Sequence, residues 1–172
     1  EARGPVLVNP ALEGSSLGMS KAGNAQELEA AYRHASTFGA HVMAEQFVSG
    51  PEYTVAILGD RALPSIRIDV SGDFYDFDAK YHSEETHFTC PSDLAAQEEA
   101  ALSELALAAF AAVGGEVWGR LDVMREAGGD WQLLEVNTVP GMTSHSLVPL
   151  AAKVAGLSLL DLLTEIYQHS LE

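Results

Sequence analysis

Two strand-like segments separated by a short turn constrain the fold of this chain more than any other feature. Residues 117–124 read VWGRLDVM, residues 131–137 read WQLLEVN, and EAGGD lies between them. Apolar and β-branched runs on either side of a Gly-rich turn predict an antiparallel hairpin. Together with helical patterns elsewhere in the chain, antiparallel pairing favours an α+β fold over a doubly wound parallel sheet.

The hairpin carries polar side chains where a buried strand would be apolar. Alternation groups two sets of side chains, each on one face of its strand: Arg120, Asp122 and Met124, and Leu133, Glu135 and Asn137. In the natural register of the hairpin, the oxygens of Asp122, Glu135 and Asn137 meet. Such oxygens suit Mg²⁺, and the neighbouring guanidinium of Arg120 suits phosphate. A half-exposed sheet is the alternative explanation, because alternation alone makes E-x-N triplets common.

Periodicity and turn residues predict the remaining elements. They are a strand over 5–8 stopped by Pro10, a helix capped by Asn24 through Thr37, a meander of strands over 41–48, 53–58 and 62–70, a helix from Ser92 as cap to Val113, a helix near 146–155, and a last helix started by Ser158 with Asp161. Residues 71–91 show no consistent period. A loop of that length inside a compact domain is either a functional flap or a disordered segment, and we favour the flap.

Composition limits the class of protein and its partners. Hydrophobic residues make up 47% of the 172 positions, enough to fill one domain or two small domains that share a core. The net charge is −16 with nine Lys and Arg, which argues against binding to nucleic acid or to an anionic membrane surface. The sequence has no apolar run of about 18 residues and no signal pattern at its start. The single cysteine, Cys90, cannot form a disulfide within the chain and is expected to be a packing residue. This fits a reducing compartment, so the chain is expected to be cytoplasmic.

The segment after the second strand makes the pattern specific. E-x-N is followed by PGMTSHSLVP at residues 140–149, and the loop EGSSLGMSK occupies residues 13–21. With the R-x-D strand, these segments resemble the ATP-grasp ligases and, within them, the D-alanine–D-alanine ligases. The resemblance implies antiparallel and mixed sheets with flanking helices, and a nucleotide site between two subdomains. It assigns residues 1–49 to a partial central subdomain and residues 50–172 to the C-terminal domain.

The resemblance also implies an activity. The family uses ATP to ligate two D-alanine molecules to D-alanyl-D-alanine through an acyl phosphate, for the synthesis of peptidoglycan precursors. The expected cofactors are ATP and two Mg²⁺ (or Mn²⁺) ions. The expected partners are D-alanine, the family's N-terminal domain, which this sequence lacks, and a second copy in a homodimer; neither nucleic acid nor a membrane is expected.

The family's functional residues carry over to the matching positions of this sequence. The resemblance implies catalytic roles for Ser15, Tyr81, Arg120 and Gly141; ATP contacts from Ser16, Glu45, Val48, Glu52, Phe74, Lys80, Met124 and Leu134; contacts to the second substrate from Ser146 and Leu147; and metal ligation by Asp122, Glu135 and Asn137. Tyr81, in the predicted flap, favours an amine as the second substrate, because the related D-alanine–D-lactate ligases typically have a His there.

Two departures from the family pattern leave alternatives open. Asn9 stands where the family has a Lys directed at the phosphates, and Gln46 replaces another usual Lys. Loss of one charge-assisted hydrogen bond removes about 1.5–3 kcal/mol of binding free energy. The alternatives are therefore another ATP-grasp ligase with a different carboxylate and amine, or a nucleotide-binding module without catalysis.

Overall fold

The computed structural model describes residues 4–14, 16–69, 86–126 and 128–171. Within these ranges the chain forms nine β-strands and four α-helices with antiparallel pairing, which confirms the predicted α+β class. Residues 71–85 of the predicted flap lie outside the described residues, and of the remainder His87–Thr89 form a strand, where the prediction had a loop. Four predicted site residues also lie outside the described residues: Ser15, Phe74, Lys80 and Tyr81.

The described residues separate into two compact units. The first runs to Val48, and the second comprises Ser49–Asp69 and the residues from His87 onward. The first unit is a three-stranded antiparallel sheet with one helix. Its elements are β1 (Val6–Pro10), β2 (Ser20–Ala22), α1 (Ala25–Ser36) and β3 (Val42–Gln46). β1 lies between β2 and β3, and small side chains bring the helix close to it: Ala31 and Ala35 pack with Val8 and Ala22.

The start of α1 is fixed by two side chains. Asn24 Oδ1 accepts a hydrogen bond from Glu27 N at 3.0 Å, and Glu27 Oε2 accepts one from Gly23 N at 2.7 Å. These bonds satisfy backbone N–H groups that a helix start leaves unpaired. The predicted cap at Asn24 is confirmed.

The second unit is a larger antiparallel sheet with three helices among the described residues. Its elements are β4 (Glu52–Leu58), β5 (Arg61–Ala62), β6 (Ile66–Asp69), β7 (His87–Thr89), α2 (Ala96–Ala112), β8 (Trp118–Arg125), β9 (Trp131–Asn137), α3 (Leu147–Val154) and α4 (Leu159–His169). The strand order is β7-β6-β4-β8-β9, and β5 pairs with β4. β8 and β9 form the predicted hairpin.

The hydrophobic core of this unit lies between the sheet and α2. Six of the seven residues of β4 are buried, as expected of a central strand covered on both faces. The buried cluster consists of Tyr53, Val55, Ile57, Leu121 and Val123 from the strands and Leu102, Ala106 and Phe110 from the helix. Because side chains alternate along a strand, Glu52, Thr54 and Asp122 lie on the other face of the sheet.

The meander predicted for residues 41–70 is wrong at its first connection. β3 pairs with β1 in the first unit, whereas β4 pairs with β6 and β8 in the second. Residues 49–52, SGPE, suggested a hairpin turn, but both edges of β4 are already occupied. Gly50 has a φ of 155°, and a Cβ there would lie 1.9 Å from the carbonyl oxygen of Arg125. The second half of the meander, from β4 to β6, is confirmed.

The predicted helix cap at Ser92 is also wrong. α2 begins at Ala96, and Ser92 instead joins a polar cluster, with its Oγ 2.8 Å from Ser65 Oγ and 3.3 Å from Glu99 Oε2. Buried hydroxyl and carboxylate groups need hydrogen-bond partners, and Ser92 serves this need. Burial, and then the charge of Glu99, raises the pKa of the nearby Cys90 thiol to about 11. The thiol is therefore protonated at neutral pH, which suits a packing residue.

The helices α3 and α4 follow β9. Ser158 Oγ accepts a hydrogen bond from Asp161 N at 3.1 Å, and Asp161 Oδ2 accepts one from Ser158 N at 2.9 Å, which confirms the predicted cap of α4. No single helix in the described part of the chain is long and apolar enough to cross a membrane. α3 and α4 meet the criterion of length and composition only as a pair, and they are bent by 104° at the break between them.

Candidate functional site

Register across three strands gathers the predicted polar residues on one face of the larger sheet. Thr54 on β4 lies opposite Asp122 on β8, and Asp122 lies opposite Glu135 on β9. Two residues along β8, Arg120 lies opposite Asn137. Residues directly opposite each other in a ladder share a face, so these side chains are neighbours. The convergence expected from the hairpin is observed.

A β-bulge in the hairpin separates Leu133 from this group. Asp122 pairs with Glu135, but the next residue, Val123, pairs with Leu133, so Leu134 is the extra residue. A bulge places two residues of one strand against one residue of the other. The predicted grouping of Leu133 with Glu135 is therefore wrong, because simple alternation does not continue through Leu134.

Asp122 is almost fully buried, with 5% of its surface exposed, and donors surround its carboxylate. Arg120 donates through Nε to Oδ1 at 2.8 Å and through Nη2 to Oδ2 at 2.6 Å. Asn137 Nδ2 donates to Oδ2 at 3.1 Å. Leaving a buried charge without such partners costs about 3–5 kcal/mol. Arg120 is therefore structural at this position, beside its predicted catalytic role.

The amide of Asn137 bridges the two carboxylates. Its Nδ2 lies 3.1 Å from Asp122 Oδ2 and 3.1 Å from Glu135 Oε1, a position between two anionic oxygens that also suits a cation. A half-turn of the amide presents Oδ1 there instead, and two carboxylates with an amide oxygen fit a hard divalent ion that keeps several waters. In residues 4–14, 16–69, 86–126 and 128–171, no group of three or more His, Cys, Asp or Glu could hold a metal. A metal site here therefore depends on the amide.

Three predicted nucleotide contacts extend the same region of the sheet. Glu52 lies opposite Met124 in the β4–β8 ladder, two residues along from the pair of Thr54 and Asp122. Leu134, the extra residue of the bulge, has 44% of its surface exposed. A half-exposed Leu offers apolar surface for a base, and the Glu52 carboxylate offers an acceptor for sugar hydroxyls.

The loop between β9 and α3 brings the predicted catalytic residue Gly141 close to the predicted substrate contact Ser146. A Cβ on Gly141 would lie 3.0 Å from Ser146 Oγ, a close approach that a larger residue could keep only if the Ser146 side chain shifted. Ser146 Oγ accepts a hydrogen bond from Thr143 N at 3.0 Å, and Ser146 directly precedes α3. Leu147 begins that helix, where backbone N–H groups and the helix dipole favour an anion.

The first unit holds the predicted phosphate-loop and adenine residues. Ser16 has a φ of 59°, a left-handed conformation that is uncommon outside glycine and that clusters at functional sites. Glu45, exposed on β3, has its Oε2 3.4 Å from Asn9 Nδ2, at the long limit of a hydrogen bond. Asn9 Oδ1 is buried, with no hydrogen-bond partner among the described residues. Val48 follows β3 and is half-buried.

Comparison with known proteins places this arrangement in a family. A family model described as "D-ala D-ala ligase C-terminus" matches residues 2–168. The chain belongs to this family. Curated D-alanine–D-alanine ligases from Alcanivorax borkumensis and Idiomarina loihiensis are 55% and 53% identical to it, over 98% and 100% of the chain. The chain spans about half the length of these relatives, 55% and 56%.

Solved structures of several ligases share the fold of this chain. VanG, a D-Ala:D-Ser ligase from Enterococcus faecalis, has a TM-score of 0.85 and 31% identity, over 95% of this chain and 49% of that chain. A D-alanine–D-alanine ligase from Bacillus anthracis has a TM-score of 0.84 and 32% identity, over 97% and 54%. The structure of the latter ligase complexed with ATP has a TM-score of 0.82 and 28% identity, over 97% and 52%. The predicted ATP-grasp fold is confirmed.

Sequence reasoning missed Thr54, whose hydroxyl contacts Asp122. In the buried run YTVAIL, a Thr is an ordinary β-branched strand residue, and nothing in the local pattern distinguishes it. The contact follows only from the register of β4 against β8, which joins positions 68 residues apart.

Proposed function

We propose that this chain is the ATP- and Mg²⁺-binding portion of a D-alanine–D-alanine ligase, with a partial central subdomain at 1–49 and a C-terminal domain at 50–172. The observation that carries the proposal is a cluster on one face of the sheet. It contains the carboxylates of Asp122 and Glu135, the amide of Asn137 between them and the guanidinium of Arg120. Curated relatives with about 55% identity support the substrate class. The reaction joins two D-alanine molecules through an acyl phosphate, releases ADP and phosphate, and serves peptidoglycan precursor synthesis.

Asp122, Glu135 and Asn137 would hold two Mg²⁺ (or Mn²⁺) ions. Such ions, when bound, neutralise the phosphate charge that moves during phosphoryl transfer. The protein contributes position, because β8 and β9 fix the three side chains in register. Glu135 is exposed on the edge strand β9, whereas Asp122 is buried, so Glu135 is the carboxylate that we assign as the shared ligand.

Arg120 and the backbone N–H of Gly141 are the proposed donors to the tetrahedral oxyanion. Two hydrogen bonds to Asp122 orient the guanidinium of Arg120, whose side chain is 18% exposed. Donors that are fixed before the reaction stabilise developing charge without reorganisation. Gly141 suits this role because its backbone can be approached closely.

Ser146 and the backbone N–H of Leu147 would hold the carboxylate of the second D-alanine. Both lie at the start of α3, where the unpaired N–H groups of a helix bind anions. The contact of Ser146 Oγ with the backbone N–H of Thr143 supports this role, because it fixes the hydroxyl at the mouth of the helix.

The remaining nucleotide contacts belong to the same proposal. Those within the described residues are Ser16 for the phosphates, Glu45 and Val48 for the adenine edge, Glu52 for the ribose, and Met124 and Leu134 for the base. Ser15, Phe74, Lys80 and Tyr81 stay predictions from the family resemblance, as do a homodimer and the family's N-terminal domain as partners.

Calorimetry with ATP and Mg²⁺ on this chain tests nucleotide binding. We expect ATP to bind in the presence of Mg²⁺ and to bind much more weakly when EDTA removes the ion. Release of phosphate from ATP with D-alanine, measured on the protein at its full cellular length, tests catalysis. A chain that binds no ATP would overturn the proposal. Binding without D-alanine-dependent release would overturn the ligase activity alone.

A different amine as the second substrate is the second candidate, favoured by the D-Ala:D-Ser ligase among the similar structures. Faster phosphate release with D-alanine plus D-serine than with D-alanine alone would select it. A nucleotide-binding module without catalysis is the third candidate, favoured by Asn9. ATP binding with no release on any pair of D-amino acids would select that one.

A further inference from the structure

Thr54 is a buried polar residue beside the proposed metal site. It lies in the middle of β4 with 1% of its surface exposed, and its Oγ1 lies 2.6 Å from Asp122 Oδ1 and 3.1 Å from the carbonyl oxygen of Leu121. A hydroxyl donates one proton, and a bond to an ionised carboxylate is shorter and stronger than one to a neutral carbonyl. The proton of Thr54 therefore goes to Asp122.

The donors to Asp122 divide between its two oxygens. Oδ1 accepts from Thr54 Oγ1 and, at 2.8 Å, from Arg120 Nε. Oδ2 accepts from Arg120 Nη2 at 2.6 Å and from Asn137 Nδ2 at 3.1 Å. Asn137 Nδ2 also contacts Glu135, so Oδ2 is the oxygen on the side of the other proposed ligands. Oδ1 is held on the side of β4.

We propose that Thr54 is a positioning residue that holds Asp122 so that Oδ2 alone binds the metal ion. Thr54 and Nε of Arg120 take both lone-pair directions of Oδ1, which disfavours bidentate coordination. Oδ2 also accepts two hydrogen bonds, but one comes from the Asn137 amide, and a half-turn of this amide would free that direction of Oδ2 for a cation. Mg²⁺ demands near-ideal octahedral geometry, which a single fixed oxygen suits. The proposal rests on the proposed function, because it requires Asp122 to be a ligand.

A buried hydroxyl also needs a partner for the sake of stability alone, so the test must separate metal binding from folding. Hydrogen bonds that orient a metal ligand change metal affinity about 10- to 100-fold when they are removed. Thr54→Val keeps the branched shape and removes the donor, so we expect Mn²⁺ to bind the variant about tenfold or more weakly. Thr54→Ser keeps the donor and should bind Mn²⁺ as the unsubstituted chain does.

Ser65 provides a matched control for the loss of a buried hydroxyl. It is 1% exposed, and its Oγ donates to Glu99 Oε2 at 2.5 Å, a carboxylate outside the proposed site. Ser65→Ala should lower the free energy of unfolding and leave the affinity for Mn²⁺ unchanged. Equal weakening of Mn²⁺ binding in Thr54→Val and Ser65→Ala would indicate a general loosening of the fold and would overturn the positioning role of Thr54.

Titration of the whole chain with Mn²⁺ in the presence of ADP, followed by electron paramagnetic resonance of the free ion, measures this affinity without turnover. The expected order of affinity is the unsubstituted chain and Thr54→Ser, then Thr54→Cys, then Thr54→Val. Cys offers only a weak S–H donor in nearly the same volume, so it supplies the comparison if the Val variant does not fold.

Two further results would overturn the positioning role and leave the proposed function standing. The first is the same Mn²⁺ affinity in the unsubstituted chain and in the Val or Cys variant. The second is equal weakening in Thr54→Ser and Thr54→Val, because the hydroxyl would then not be the cause. If the unsubstituted chain binds no Mn²⁺ with ADP, the proposed function fails, and the inference fails with it.

Discussion

The Asn137 side chain separates two carboxylates that would otherwise repel each other. Its Nδ2 donates to both Asp122 and Glu135, and Arg120 adds a full positive charge beside Asp122. Like charges at close range raise each other's energy unless donors lie between them. The protein's own donors therefore hold the proposed ligands in place. Removal of the exposed Glu135 carboxylate should affect cation binding more than folding, whereas removal of the buried Asp122 carboxylate would break its ion pair with Arg120.

Glu135→Gln tests the proposed metal ligand with little change of size. A neutral amide oxygen is a weaker ligand for Mg²⁺ than a carboxylate, so the Mg²⁺-dependent affinity for ATP should fall at least about tenfold. Calorimetry at saturating Mg²⁺ measures the change. Glu104→Gln, on an exposed position of α2, is the control and should keep the original affinity. An unchanged affinity in Glu135→Gln would count against the metal role.

Asn9→Lys tests the main departure from the family pattern. Asn9 lies on β1, with its amide 3.4 Å from Glu45 Oε2 and its Oδ1 buried. A Lys there adds a charge-assisted hydrogen bond to a phosphate, so ATP should bind about tenfold or more tightly in calorimetry. Asn9→Met, similar in length but uncharged, should bring no gain. Equal gains in both variants would show that charge is not the cause.

Elements whose signal is local could be predicted from the sequence. The caps of α1 and α4 each depend on two residues three positions apart, Asn24 with Glu27 and Ser158 with Asp161. The β8–β9 hairpin needs only two strands and one turn. The same short range explains why Arg120, Asp122, Glu135 and Asn137 could be predicted to meet, since a single hairpin contains all four.

Features that depend on distant partners could not be predicted in this way. The turn-like segment SGPE fits a hairpin, yet β3 pairs with β1 because the edges of β4 belong to β6 and β8. Ser92 has the right residue type for a helix cap, but Ser65 and Glu99 compete for its hydroxyl. The bulge at Leu134 and the contact of Thr54 with Asp122 are likewise set by strand register.

The cap of α4 should make stability sensitive to acid. Hydrogen bonds from the Ser158 hydroxyl and backbone N–H lower the pKa of the Asp161 carboxyl from its usual 3.8. A carboxyl with a lower pKa in the folded state stabilises the fold above its unfolded pKa, and this contribution is lost as pH falls through the folded pKa. In urea unfolding at pH values from about 7 to about 2, Asp161→Asn should therefore lose less stability than the unsubstituted chain.

Ser158→Ala serves as the second variant for this cap. It removes the hydroxyl bond to Asp161 and the cap of the first turn, which should lower the free energy of unfolding by about 1 kcal/mol at neutral pH. The free energy of unfolding of this variant should also fall less between neutral and acidic pH than that of the unsubstituted chain. Parallel pH profiles for all three chains would contradict the assignment of this sensitivity to the cap.

At the scale of the whole molecule, the chain carries a net charge of −16, and its site is proposed to bind both a cation and a polyphosphate. An acidic protein attracts Mn²⁺ and repels Mg·ATP, which is itself anionic. Salt screens both effects, since the Debye length falls from about 30 Å at 0.01 M to about 3 Å at 1 M. The two ligands should therefore respond to ionic strength in opposite directions.

Ionic strength tests this balance directly. As NaCl rises from about 0.01 M to about 1 M, the affinity for Mn²⁺ alone should fall, and the association rate of Mg·ATP should rise in stopped-flow measurements. Sucrose at matched osmolality is the control, because it lowers water activity without screening charge. Changes of the same sign for both ligands would show that local charges, and not the net charge, govern their approach.

The bulge at Leu134 sets which changes of length β9 can accept. The pairs Asp122–Glu135 and Val123–Leu133 stand on either side of this residue, and Trp131 beyond them packs edge-on against Tyr53 at 5.3 Å between ring centroids. Removing Leu134 would make the ladder continuous and keep the partners on both sides. Removal of a residue outside the Leu133–Leu134 pair would instead invert one part of the strand. A chain that is one residue shorter at this point should therefore still direct the same side chains to the proposed metal site and to the core.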